Sequence, residues 1–182
     1  MFVVRKIIDN ALYSTETDGG SDSFTDCFEQ WQDPMYIRSY LLTYQAELQH
    51  YFQIGIKEAT KKILKVSEQF FSDILSIAKG QHNKTLDNYI FEPLHKNDDF
   101  TIPILSTKAY GQTNAKSFLR LYAIRFNDGS YLVIGGLIKL HTAIQDTDEG
   151  KAILEKFKVW KTYLHNNNID SSFELCTLIL DN

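Results

Sequence analysis

The stretch FLRLYAIRF (Phe118 to Phe126) is followed by NDGS (Asn127 to Ser130) and then by YLVIGGLIKLH (Tyr131 to His141). Both outer runs are rich in β-branched and aromatic residues, and an Asp-Gly pair lies between them. This predicts a β-hairpin, because Asp-Gly accepts the positive backbone angles that a tight reversal needs. Gly135-Gly136 interrupts the second run. Neither GxxxxGK[ST] nor GxGxxG surrounds it, so it predicts a bulge or a close backbone approach rather than a phosphate loop.

Downstream of the hairpin, Asp146 to Gly150 begins an amphipathic helix. It carries Ile153, Leu154, Phe157, Trp160, Tyr163 and Leu164 and frays at Asn166-Asn167-Asn168. The apolar run FELCTLIL, Phe173 to Leu180, is expected as a closing strand. Upstream, residues 80–117 contain Pro93 and Pro103 and are expected to be mostly loop. Before them, apolar residues three and four apart predict a helix from Ile56 to near Gly80 and another from Met35 to Phe52, with Pro34 at its start. Ser21 or Asp22 is placed to cap a short helix ending near Gln32. At the amino end, FVVRKII, the turn pair Asp9-Asn10 and Ala11 to Thr15 predict a first hairpin.

The expected fold class is therefore α+β: an N-terminal β-hairpin and helices, then an antiparallel sheet with a C-terminal helix. The division expected is 1–90 for the hairpin and helical region and 91–182 for the second region, with one integrated domain as the alternative.

Composition limits the function classes. The chain has 182 residues, 43% hydrophobic and 23% charged, which suits a packed core and argues against wholesale disorder. A net charge of −4 gives no global nucleic-acid footprint but leaves room for a local one. Cys27 and Cys176 cannot build a disulfide framework, and they read as free thiols in a reducing, cytoplasmic setting. Arg5, Lys6 and Asp9 break the first apolar stretch, so no signal peptide and no membrane span is expected. The five His residues form no HxH or HExxH set, and neither a metal nor another cofactor is expected. Residues 16–33 hold six carboxylates and no Lys or Arg, which reads as a solvated helix face. Lys57, Lys61, Lys62 and Lys65 stripe one predicted helix. They read as its wet face or as a surface for RNA phosphates.

The local charge lies between Lys108 and Lys139. Lys108, Lys116, Arg120, Arg125 and Lys139 face Asp128 alone, with Tyr110, Tyr122 and Tyr131 among them. Cations bind phosphates and aromatic rings stack on unpaired bases, which is the usual chemistry of RNA recognition. Arg120 and Tyr122 share a strand face, as do Lys139 and His141. Arg125 has the opposite parity and joins the first pair only across a bulge. The blander account of the same residues is an ordinary hairpin with solubilising Lys and Arg.

The stretch from Phe91 to Leu164 resembles the RelE/HigB-like toxin superfamily, the ribonuclease half of type II toxin–antitoxin pairs. The matching parts are FEPL (Phe91 to Leu94), LRLYAIRF (Leu119 to Phe126), the NDGS turn, YLVIGGLIKL (Tyr131 to Leu140), HTAIQ (His141 to Gln145) and the helix EGKAILEKFKVW (Glu149 to Trp160). The chain departs from the family in its acidic balance, its helical N-terminal region and its Lys139-Leu140, where Lys-Lys is common.

The resemblance implies an endoribonuclease cleaving messenger RNA, in association with the ribosome, and so inhibiting translation. The 2′-hydroxyl would attack the adjacent phosphate and leave a 2′,3′-cyclic end. Arg120 and Lys139 would stabilise the phosphate charge, and Tyr122 would stack a base or donate a proton. His141 would serve acid–base chemistry or be a surface residue. Lys108, Lys116, Arg125, Thr142 and Gln145 would bind substrate. Implied partners are a cognate antitoxin, commonly a helix-turn-helix protein, together with messenger RNA and the ribosome. DNA would be met only through the antitoxin. The competing account is a non-catalytic interaction module on the same fold, of mobile-element or phage origin.

Overall fold

A computed structural model describes residues 2–111, 117–141 and 143–180. It begins with a hairpin of β1 (Val4–Ile8) and β2 (Leu12–Thr15), with Asn10 taking the positive φ of the turn. Helix α1 (Ser23–Gln32) starts at Asp22, whose carboxylate accepts the Phe24 and Thr25 backbone N–H groups at 2.9 and 3.1 Å. These are two of the four donors that a helix start leaves without partners. Asp33 then ends α1 and caps α2 (Pro34–Thr43), with Pro34 in the first turn, where a missing N–H costs nothing.

The single helix expected from Met35 to Phe52 is two. At Tyr44 the backbone leaves helical geometry (φ −111°, ψ 35°) and α3 (Gln45–Phe52) follows. The break turns the Tyr44 ring edge-on to His141, centroids 5.5 Å apart, and lets Leu48 reach the core. Helix α4 (Ile56–Ala78) buries Ala59, Ile63, Val66, Phe70, Ile74 and Ile77, one per turn or better. Each large apolar side chain contributes about 1.5–3 kcal/mol by leaving water.

The region expected as loop contains α5 (Leu86–Tyr89), β3 (Phe91–Pro93) and β4 (Leu105–Tyr110). Pairing, not local hydrophobicity, makes LSTKAY a strand, because all six of its residues are in register with β5 (Leu119–Arg125). Strand β6 (Tyr131–Ile138) returns from the Asn127–Ser130 turn, where Gly129 has φ +80°. A 3-10 turn (Ile144–Asp146), α6 (Asp148–Asn166) and α7 (Ser172–Leu180) complete the chain.

The expected closing strand is therefore a helix. The segment lies against the edge strand β1 without pairing to it. The Glu174 carboxylate accepts from the Asp170 and Ser171 backbone N–H groups, while Asp128 receives the Ser172 N–H at 2.7 Å. A helix start so well satisfied outweighs the strand preference of a short apolar run, which periodicity alone cannot assign.

The six strands form one sheet in the order β1-β2-β6-β5-β4-β3. Four pairings are antiparallel and β2 runs parallel to β6. The fold is α+β, with helices on both sheet faces. Leu119, Leu121 and Ala123 point to the face covered by α1–α4, where Trp31, Phe28 and Phe70 pack. Tyr122, Ile124 and Phe126 point to the face covered by α6 and α7, against Phe157, Trp160 and Leu175. Among the described residues no helix is long and apolar enough to cross a membrane.

Candidate functional site

Strand alternation alone brings four polar or aromatic side chains to one patch of the α6 face. Lys108 lies opposite Tyr122, and Tyr110 opposite Arg120, on β4 and β5. Glu92 of β3 is paired with Lys108.

Lys139 arrives by a different route. Tyr131 and Val133 belong to the core on the α1–α4 side, and Leu132 and Ile134 to the α6 side. Continued alternation would put Lys139 with Tyr131 and Val133. The ladder, however, matches Tyr122 to Gly135 and Ala123 to Val133, leaving Ile134 as an extra residue. Beyond this bulge the parity is reversed: Gly136 rests on Trp31, Leu137 is in the α6-side core, and Ile138 and Leu140 are in the other. A bulge moves every later side chain to the opposite face, so Lys139 joins Arg120 and Tyr122.

The result is a pocket of about 280 Å³. Lys108, Tyr110, Arg120, Tyr122 and Lys139 form its floor, and Leu94 and His95 stand on one side. Ala143, Ile144, Gln145 and Leu154, from the 3-10 turn region and α6, close the other. The helix places Leu154 by way of its cap, since the Thr147 hydroxyl accepts the Gly150 N–H at 3.1 Å.

Arg120 is the most constrained cation. It is 5% exposed, its guanidinium lies 3.9 Å from the Tyr110 ring centroid, and Nη1 donates to the Ser117 and Leu119 carbonyls at 2.7 Å each. Burial pulls its pKa down, yet an arginine stays charged throughout the working pH range. Tyr110 donates its hydroxyl to Glu92 Oε1 at 2.7 Å. Burial, then this bond, push its pKa up to about 12. Lys108 Nζ is 3.5 Å from the same Glu92 oxygen. Half-buried Lys139 is pulled below the usual lysine range, by desolvation first and then by the charges of Arg120 and Lys108. Three cations thus share one small pocket, with the Glu92 carboxylate beside Lys108 and the Asp146 carboxylate acting on Lys139. Such an arrangement favours an incoming anion.

Of the expected site residues, Lys108, Arg120, Tyr122, Lys139 and Gln145 come together here. Arg125 does not. It lies on the α1–α4 face, where Nε and Nη2 grip both Asp87 oxygens at 2.9 and 2.7 Å and Nη1 donates to the Phe100 and Phe126 carbonyls. The bulge that would have rescued its parity is on β6 rather than β5. His141 is also outside the pocket. It lies against Tyr44, and its Nε2 is buried with no hydrogen-bond partner among the described residues. Lys116 and Thr142 lie outside the described residues.

Tyr110, Glu92 and His95 line or brace the pocket without having been singled out as site residues. Glu92 sits inside the FEPL stretch and was visible only as part of it. Tyr110 required knowing that LSTKAY is a strand. Among the described residues no group of three or more His, Cys, Asp or Glu side chains converges as a metal site would need. Compared with family models, with curated proteins and with solved structures, the chain matches none.

Proposed function

We propose that this pocket receives a phosphodiester of single-stranded RNA and that the protein is an endoribonuclease of the toxin type, acting in the cytoplasm. The observation that carries the reading is the convergence of Lys108, Arg120 and Lys139, from β4, β5 and the end of β6, onto one pocket whose floor also holds Tyr110 and Tyr122. Arg120, fixed by two carbonyls and a stacked ring, is preorganised to meet charge that grows on the phosphoryl oxygens. Lys139, half-buried beside Arg120 and Lys108, brings a second fixed positive charge to the phosphoryl oxygens as their charge grows. Tyr122 is a weaker donor, since burial raises its pKa far above neutrality. His141 has no part in this scheme, because it faces Tyr44.

Attack by the 2′-oxygen on phosphorus breaks the bond to the 5′-oxygen. The products are a 2′,3′-cyclic phosphate and a 5′-hydroxyl end. The ribosome as the place of cleavage and a small antitoxin as neutralising partner belong to the same proposal.

The burial of Arg120 and Tyr122 favours a second reading, a non-catalytic interaction module in which these side chains only brace the sheet. Inducible expression in a bacterial host separates the two. Wild-type protein should arrest growth and leave cleaved messengers with cyclic ends. Lys139→Ala at matched abundance should not, because losing a transition-state donor costs about 10²–10³ in rate. Folded wild-type protein without growth arrest or cleavage, with and without ribosomes, would establish the second reading.

A further inference from the structure

One titratable side chain that lines the pocket has no role in the scheme above. His95 is exposed and stands on the β3 side of the opening, across from Ala143, Ile144 and Gln145. Three hydrogen bonds fix the backbone that carries it. The Leu94 N–H donates to the Ser106 carbonyl at 2.9 Å, which extends the β3–β4 pairing one residue beyond Pro93. The Asp98 N–H donates to the His95 carbonyl at 3.1 Å and closes a turn over residues 95–98. Lys108 Nζ donates to the Leu94 carbonyl at 3.4 Å, so the residue before His95 is tied to one of the pocket's cations.

Cyclisation of an RNA phosphodiester needs a group that takes the proton from the 2′-hydroxyl. A side chain can do so only in its unprotonated form. Lys108, Arg120 and Lys139 supply the positive charge that holds the phosphate. Tyr110, its pKa pushed up to about 12, already donates its proton to Glu92. Burial keeps Tyr122 protonated as well. Glu92 is engaged by Tyr110 and Lys108 and does not line the pocket. Gln145 does not titrate. An imidazole differs in kind, because it is the side chain that exchanges protons near neutral pH.

We propose that His95 is the general base of this pocket, a catalytic residue that takes the 2′-hydroxyl proton of an RNA whose phosphate rests on Arg120 and Lys139. The proposal rests on the RNA reading of the pocket. An imidazole nitrogen accepts the proton as the 2′-oxygen bonds to phosphorus. The bond from phosphorus to the 5′-oxygen breaks, and its electron pair stays on that oxygen. The leaving oxygen takes a proton from water, and the imidazolium returns its proton to the hydroxide that remains. His95 ends the cycle neutral, as it began.

The test uses the full chain and a short messenger RNA, both alone and on bacterial ribosomes. The rate constants kcat and KM are followed against pH for the wild type, His95→Ala and His95→Gln, and affinity for inorganic phosphate is measured by isothermal titration. The substituted side chain is exposed, so circular dichroism should show unchanged folding. Loss of the base should lower kcat about 10²–10⁴-fold and leave KM and phosphate affinity nearly unchanged. The wild-type rate should rise with pH to a plateau. That rising limb should be missing from both variants, and added imidazole should restore part of the His95→Ala rate. If both variants cleave like the wild type with the same pH profile, His95 is not the base and the pocket reading stands. If they lose phosphate affinity in step with rate, His95 is an anion contact and the proposal is overturned. If the wild type cleaves no RNA under either condition, the pocket reading fails and the proposal falls with it.

Discussion

Replacing Gly136 with Ala probes the bulge that assembles the pocket. A Cβ at this position would lie 2.7 Å from both Cη2 and Cζ2 of Trp31 and 2.8 Å from the Arg120 carbonyl oxygen. None of these atoms can yield cheaply. Trp31 is 1% exposed, wedged against Phe28 and Phe70, and its own carbonyl accepts the Ser67 hydroxyl at 3.0 Å. The carbonyl of Arg120 is main chain in the middle of the sheet. Overpacking of this kind costs about 1–3 kcal/mol, and contact with backbone argues for the upper end, about 2–3 kcal/mol.

Gly135→Ala is the built-in control. Its Cβ would sit 3.6 Å from Ile153 Cγ1, an ordinary contact, and neither glycine has a positive φ. Both substitutions reduce unfolded-chain freedom to the same extent, a gain of about 0.4–1 kcal/mol where the native backbone accepts alanine. Their difference therefore isolates the clash. At about 2–4 °C per kcal/mol for a chain of this size, Gly136→Ala should melt about 4–12 °C below Gly135→Ala. Thermal unfolding followed by circular dichroism reads this directly. A Trp31→Phe background should recover part of the loss, and the double-mutant cycle gives the coupling. Equal melting temperatures for the two glycine variants would refute the close approach at Gly136, and with it the account of how Lys139 changes face.

Asp87 holds Arg125 and also accepts the Tyr131 hydroxyl at 2.5 Å. Desolvation raises its pKa but the bonds to Arg125 and Tyr131 outweigh it, so the net shift is downward. Its stabilisation is fully present above the unfolded carboxyl value near 4 and is lost as pH falls through the lower folded value. Asp87→Asn should thus cost about 2–3 kcal/mol at neutral pH, somewhat below a fully buried pair, and the gap to wild type in urea melts should close on acidification. Lys139 behaves in the opposite sense. Its depressed pKa means that affinity for a phosphate probe falls as pH rises through that value, earlier than for an ordinary lysine near 10.4. Lys139→Arg should flatten the alkaline fall, and an unchanged titration would remove Lys139 from the anion site. A Cβ on Gly150 would fall 1.7 Å from the Ile144 carbonyl oxygen. Gly150→Ala should therefore displace the turn that carries Ile144 and Gln145, costing about 1–3 kcal/mol and weakening anion binding while every pocket cation remains. Isothermal titration with inorganic phosphate checks it.

Local chemistry made much of the fold legible. The Asn127-Asp128-Gly129-Ser130 turn, the Asp22 cap and Pro34 at a helix start each act through neighbours in sequence. What stayed hidden depends on distant partners. LSTKAY has no hydrophobic run and becomes a strand only because β5 is there to pair with it. FELCTLIL carries strand-like residues, but its helix start is fixed by Asp128, more than 40 positions away. The site was legible in the same uneven way. Arg120 and Tyr122 share a face by counting in twos. Lys139 joins them because of one extra residue opposite Tyr122 and Ala123, and Gly135-Gly136 hinted at the irregularity but not at its effect on parity. Arg125 is cationic like the others, and only its parity distinguished it. Asp87, its partner 38 residues upstream, settles where it goes.

The parallel contact between β2 and β6 has a consequence for synthesis. Leu12 pairs with Tyr131, 119 positions later, and all four residues of β2 are fully buried in the finished sheet. At about 5–20 residues per second, β2 waits roughly 6–24 s for its partner to be made. During that interval α1–α4 can form, but they have no sheet centre to close upon. The chain therefore folds late and from its second half: the β5–β6 hairpin must appear before the first hairpin has anywhere to dock. Contacts this distant in sequence slow folding. They also make β2 the segment that a growing chain most needs to keep away from its neighbours.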